Sequence, residues 1–172
     1  MNKKIRVLGV GNILMEDDGL GPFAVRVLEA GYEFPEWVEV QDVGTPGLDF
    51  APYIDEAAAV IVIDTVSSEG SPGSIKRYDK AQMLAKPLPE RTNPHQPGLR
   101  ETLMAAELTD SSPDEVVVIG VIPESTGNVA RLSDVVRAAV PDVIEAVIAE
   151  LRRLGVESTA RVEPLDPEIW WE

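Results

Sequence analysis

Three successive carboxylates, Glu16, Asp17 and Asp18, stand in a glycine-bracketed loop between an apolar run and an amphipathic pattern. A loop of that kind suits a cation, because hard oxygen ligands converge over a short span. Two further acids close later apolar runs: Asp42, near the end of Val38 to Val43, and Asp64, directly after Ala57 to Ile63. His95, the one histidine, sits in a proline-bounded stretch downstream. A pair of carboxylates plus an imidazole is an oxygen-rich set with one borderline nitrogen. Such a set can hold a divalent transition metal with coordination positions left open. Zinc sites more often use more nitrogen or sulfur, so nickel, cobalt and manganese are equally permitted. The same residues also admit plainer roles, with Asp42 and Asp64 as turn or helix caps at strand ends and His95 exposed in a loop.

Other chemistries fit less well. The chain has no cysteine, which removes disulfides, thiolate ligands and cysteine nucleophiles. A serine triad would have to use His95, and no G-x-S-x-G elbow is present. A single histidine cannot make H-E-x-x-H. Gly9-Val10-Gly11 after a strand, with Asp42 ending the next, partly mimics a dinucleotide-binding fingerprint. The third glycine is missing, since position 14 is Leu14, and a pyrophosphate would meet Glu16, Asp17 and Asp18 at the helix entrance.

The elements that must position these residues alternate between strand and helix. Ile5 to Val10, Val38 to Val43, Ala57 to Ile63 and Val116 to Val121 read as strands, mostly as continuous apolar runs buried on both faces. Leu20, Phe23, Ala24, Val27 and Leu28 recur at helical spacing, with Gly31 placed to stop that helix. After the turn Gly44-Thr45-Pro46-Gly47 comes a short helix with Leu48, Tyr53 and Ile54. Ser74 to Tyr78 fits an edge strand, and Gly98 to Leu108 a helix. Asp79 to Pro97 carries four prolines and reads as a long loop. Pro141 suits a helix start better than an interior, so two consecutive helices are expected before Gly155. Glu16 and Asp17 read as solvated charges or helix N-terminal partners with a supporting role.

This pattern predicts a three-layer α/β/α sandwich on a mostly parallel, about five-stranded twisted sheet, in one domain over residues 1–160. Residues 161–172 form a tail whose Trp170 and Trp171 pack on the surface or are disordered, with contact to a partner as the lesser alternative. Ligands of open parallel sheets bind outside the carboxyl ends of the strands, so Asp18, Asp42 and Asp64 are all expected to face one crevice. The net charge of −15 opposes binding to nucleic acid or anionic membranes. No apolar run is long enough to span a bilayer and the start has no signal-peptide pattern, so a cytoplasmic protein is expected; separately, it is expected to be a monomer.

Five segments in order, VLGVGNILMEDDGLG, QDVGTPGLDF, VIVIDTV, NPHQPGL and VIGVIPES, resemble the hydrogenase maturation endopeptidases over nearly the whole chain to about Gly155. The resemblance implies a protease that removes a C-terminal extension from the large-subunit precursor of a nickel-iron hydrogenase. It implies Asp18, Asp64 and His95 as metal ligands, the metal being nickel already inserted in the substrate, though other divalent ions can occupy the site. Many relatives carry Glu where this chain has Asp18. The motif Asp42-Val43-Gly44-Thr45 resembles the family's second motif, which implies Gly44 and Thr45 in binding the peptide and Asp42 as a candidate to activate the attacking water. A nickel carrier or assembly chaperone without protease activity would use the same three ligands.

Overall fold

The computed structural model describes residues 4–46, 50–87 and 98–172. Strand β1 (Lys4–Val10) leads through a 3-10 turn (Glu16–Gly19) into α1 (Leu20–Gly31), followed by β2 (Tyr32–Glu33) and β3 (Val38–Gly44). Then come α2 (Ala51–Ile54), β4 (Ala57–Thr65), β5 (Ile75–Asp79), α3 (Lys80–Ala85) and α4 (Leu99–Leu108). The chain finishes with β6 (Glu115–Val121), α5 (Asp134–Arg153) and β7 (Thr159–Ala160).

The main sheet has five strands in the order β3-β1-β4-β6-β5. The first four are parallel, and β5 runs antiparallel on β6 at the edge, where its alternating charges suit a strand with one open side. Side chains alternate across the sheet, which is why the apolar runs of β1, β4 and β6 feed two cores. Ile5, Val7, Ile61, Ile63, Val117 and Ile119 pack against α1 and α5. Leu8, Val10, Val60, Val62, Val116 and Val118 pack with Ile54, Met83 and Leu103 from α2, α3 and α4. The expected three layers are therefore present.

Two expectations about helices need correction. The helix α5 is one element of 20 residues with Pro141 inside it. Proline in a helix interior costs about 3 kcal/mol. Burying each aliphatic side chain returns about 1.5–3 kcal/mol, and Val136, Val140, Val143, Val147 and Leu151 form one unbroken buried stripe through the proline. Pro141 itself is exposed, so the carbonyl that loses its partner faces water. The expected loop from Asp79 opens instead with α3, nucleated by a capping box. Gln82 N donates to Asp79 Oδ1 at 2.8 Å and Asp79 N donates to Gln82 Oε1 at 2.9 Å.

The terminal segment is packed. A two-stranded antiparallel pair joins β2 to β7. Beyond it, Arg161 N donates to Gly31 O and Leu165 N to Ala30 O, which lays the segment along the end of α1. Trp171 is half-buried against the α1/α5 core while Trp170 is 73% exposed, the two rings meeting edge to face. Glu172 pairs with Arg137 and accepts from Leu132 N at 3.0 Å. Among the described residues no helix is long and apolar enough to cross a membrane.

Candidate active site

The glycines of the first loop are spent on backbone approach. A Cβ at Gly9 would lie 2.3 Å from Gly21 O, and one at Gly21 would lie 2.2 Å from Val10 O. Bare backbone on both sides lets α1 sit directly on β1. At Gly11, with φ +146°, a Cβ would lie 1.7 Å from Asp18 O. The loop is thus closed by contact with its own acidic turn, and the pattern that mimicked a dinucleotide fingerprint serves helix–strand packing.

Strand order decides where a ligand can enter. From β1 the chain moves outward to β3, and from β4 it moves the other way to β6. The carboxyl ends of β1 and β4 therefore flank the point where connections diverge, the place at which open α/β sheets bind ligands. Asp18 follows β1 and Asp64 is the penultimate residue of β4. Both are largely buried, at 8% and 9% exposure. Thr65 links them: its backbone N donates to Asp64 Oδ1 at 2.7 Å, and its hydroxyl makes a long hydrogen bond of 3.4 Å to Asp18 Oδ1. Asn12 N donates to Asp18 Oδ2 at 2.8 Å. Two carboxylates are thus held together at the switch point by backbone and hydroxyl donors.

Asp42 does not join them. It lies at the end of β3, and β1 stands between β3 and β4, which puts its backbone roughly 10 Å from that of Asp64 at ordinary strand spacing. Asp42 is exposed and alternates with Val38 and Val40 toward the α1 layer, whereas Asp64 alternates with Val60 and Val62 toward the opposite one. Its charge is felt by Glu29 of α1: burial pushes the Glu29 carboxyl above its ordinary range, Arg26 pulls it down, and Asp42 adds a further upward push. The expectation that all three acids face one crevice thus fails for Asp42. Its Oδ1 instead accepts from Gly44 N at 3.0 Å, closing a turn. Gly44 O in turn accepts from Gly11 N at 2.8 Å, which ties this turn to the first loop and leaves Thr45 exposed beside it.

His95 lies outside the described residues. Among the described residues no group of three histidine, aspartate or glutamate side chains is placed to hold a metal ion. The described part of the site supplies two oxygen donors.

Of the two roles the sequence allowed Asp17, the structure shows the helix N-terminal partner and not the solvated charge. Asp17 is fully buried, with 0% exposure. Glu124 N and Ser125 N donate to Oδ2 at 2.9 and 3.0 Å, Ser133 N donates to Oδ1 at 2.8 Å, and the Ser133 hydroxyl donates to Oδ2 at 3.0 Å. A buried carboxylate survives only with such partners. Ser133 is also the N-cap of α5, accepting from Val136 N at 3.3 Å, so the charge sits at the positive end of a 20-residue helix.

Comparison with known proteins decides the family. The hydrogenase maturation protease profile matches residues 22–150, a span that includes Asp42, Asp64 and His95. The hydrogenase 2 maturation protease of Escherichia coli is 35% identical over 159 residues, covering 92% of this chain and 96% of that protein. This chain belongs to the hydrogenase maturation proteases. The structure of the hydrogenase maturating endopeptidase HybD from E. coli matches with a TM-score of 0.84, covering 92% of this chain and 98% of that one at 35% identity. A hydrogenase 2 maturation peptidase from a Thaumarchaeota archaeon matches at 32% identity, TM-score 0.67, covering 87% and 99%. The hydrogenase expression/formation protein HupD of Rhizobium leguminosarum is 34% identical over 93% of this chain and 80% of its own. Membership makes the protein a hydrolase of the protein-processing kind and carries the five-stranded α/β architecture with it.

Within a maturation protease, Thr65 is the residue that sequence reasoning passed over, and Asp17 is the one it gave only a supporting role. For Thr65 the signal was adjacency, a hydroxyl next to an acid at a strand end. No periodicity marks Asp17, because its donors come from residues 107 to 116 positions later in the chain.

Proposed function

We propose that this maturation protease removes the C-terminal extension of a nickel-iron hydrogenase large-subunit precursor, and that it recognises nickel already inserted in that substrate. The observation that carries the reading is the pair Asp18 and Asp64 at the β1/β4 switch point, joined through Thr65. The two carboxylates offer oxygen donors to a divalent ion borne by the substrate, and His95 supplies the third donor that the family resemblance implies. Nickel accepts such a mixed set.

The peptide then runs along the sheet edge past Gly44 and Thr45. The hydrogen bond from Gly44 N supports a role for Asp42 in shaping that rim. Hydrolysis needs a water delivered to the scissile carbonyl and a base for its proton, and the carboxylates of this edge are the acids available for that transfer. The reaction takes place in the cytoplasm, with the enzyme acting as a monomer on its precursor.

Mass spectrometry of a nickel-loaded precursor before and after mixing tests the reading. A large subunit shortened at its C-terminus by the wild type, and left intact by Asp64→Ala and His95→Ala, is the expected result. A precursor of unchanged mass that nevertheless gains or loses nickel would make the protein a carrier instead.

A further inference from the structure

We infer that Asp17 is a positioning residue for Asp18, holding the metal-facing carboxylate in register by locking the acidic turn to the segment that follows β6. The inference rests on Asp18 contacting the substrate's metal, as proposed above, and extends that reading to a residue outside the ligand set.

Asp17 and Asp18 share one turn, so whatever fixes one fixes the other. That turn is held on its far side by a continuous set of contacts. Asp17 N donates to Ser125 O at 3.2 Å and Glu16 N to Val129 O at 2.7 Å, while Gly127 N donates to Glu16 Oε2 at 3.2 Å. With the four donors on the Asp17 carboxylate, the turn is bonded to residues 124–133 from both its backbone and its side chains. Glu16 is held at φ +48°, a left-handed conformation that a non-glycine residue keeps only when its surroundings enforce it. Asp17 faces away from the β1/β4 crevice into this cage, and Asp18 faces Asn12 and Thr65. The two neighbouring acids divide the work, one gripping the protein and the other presented at the site.

This division explains why a fully buried carboxylate stands here where an apolar side chain would fill space. Only an acceptor with two oxygens can take donors from Glu124, Ser125 and Ser133 together. Outer partners of this kind typically change metal affinity or activity by about 10- to 100-fold when removed.

The test is the kinetics of Asp17→Asn on nickel-loaded precursor, with Asp18→Asn and Ser133→Ala beside it, each counted per folded molecule from its circular dichroism. Asp17→Asn keeps the shape but turns an amide NH2 toward donors. It is expected to raise KM by about 10-fold or more and to weaken nickel binding to the isolated protein, measured by calorimetry, in parallel. Ser133→Ala removes one of the four donors, and a rise of a few-fold is expected. Wild-type KM and nickel affinity in folded Asp17→Asn would overturn the inference. Should that variant not fold, wild-type values in Ser133→Ala would do the same. Wild-type behaviour in Asp18→Asn would instead sink the assignment of Asp18 as a metal-facing residue, so the two failures are told apart.

Discussion

The two ends of α5 each bury a carboxylate, and they do so by opposite means. At the first turn Asp17 is caged by backbone amides and one hydroxyl. Near the last turn Glu150, 8% exposed, is gripped by Arg77 of the edge strand β5 and by Arg153, which also reaches Glu115. Asp17 suits the helix dipole, as an anion at the N-terminus, whereas Glu150 lies near its negative end, where Arg77 and Arg153 offset it. The two arrangements differ in what they fix. Neutral donors on a closed loop set geometry to within a hydrogen bond, whereas a pair of half-exposed arginines holds the edge strand by charge. The caged end touches the site, and the ion-paired end secures the fold.

Deleting each acid should separate the two most strongly. Asp17→Ala leaves the buried Ser133 N–H and hydroxyl without their acceptor, while Glu124 N and Ser125 N belong to exposed residues, and with about 1–3 kcal/mol for each buried unpaired group a loss of about 2 kcal/mol or more is expected in denaturant unfolding. Glu150→Ala frees arginines that reach water and should cost about 1 kcal/mol, with the processing rate per folded molecule unchanged. Equal destabilisation by the two, or a slowed rate in Glu150→Ala, would erase the contrast.

A smaller effect sharpens it through pH. The Arg77 guanidinium holds the Glu150 carboxyl below its ordinary value, burial opposes this, and Arg153 adds to the lowering. A depressed folded-state pKa means that the stabilisation is fully present above the unfolded glutamate value, about 4.3, and is lost as pH falls through the lower folded value. The stability gap between wild type and Glu150→Gln, followed by unfolding midpoints, should be constant from neutral pH down to about 5 and shrink below about 4. A gap that widens on acidification would contradict the pairing.

Much of this was legible in the sequence because it is local or periodic. The apolar runs gave the parallel strands, and the edge position of β5 followed from its alternating charges; place after a strand marked Asp18, Asp42 and Asp64 alike, and only the family resemblance set Asp18 and Asp64 apart as ligands. Pro141 misled because a local penalty of about 3 kcal/mol was weighed without the buried stripe that exceeds it. The helix α3 was missed because four prolines drew attention from the Asp79–Gln82 box. Asp42 was placed in the crevice because the rule for carboxyl ends treats every parallel strand alike, while sheet order inserts β1 between it and Asp64. For Asp17 the sequence offered a helix N-terminal role but neither the burial nor the helix concerned: its partners belong to another loop, and only the folded chain brings them together.

We propose that Asp18 and Asp64 recognise nickel in the substrate and thereby license cleavage. The most direct measurement is single-turnover processing of nickel-loaded and nickel-free precursor by wild type, Asp18→Asn and Asp64→Asn. The wild type is expected to cleave only the loaded form, and each variant to lose about 100-fold or more on it. Equal cleavage of both precursors by the wild type, or wild-type rates in either variant, would contradict the account.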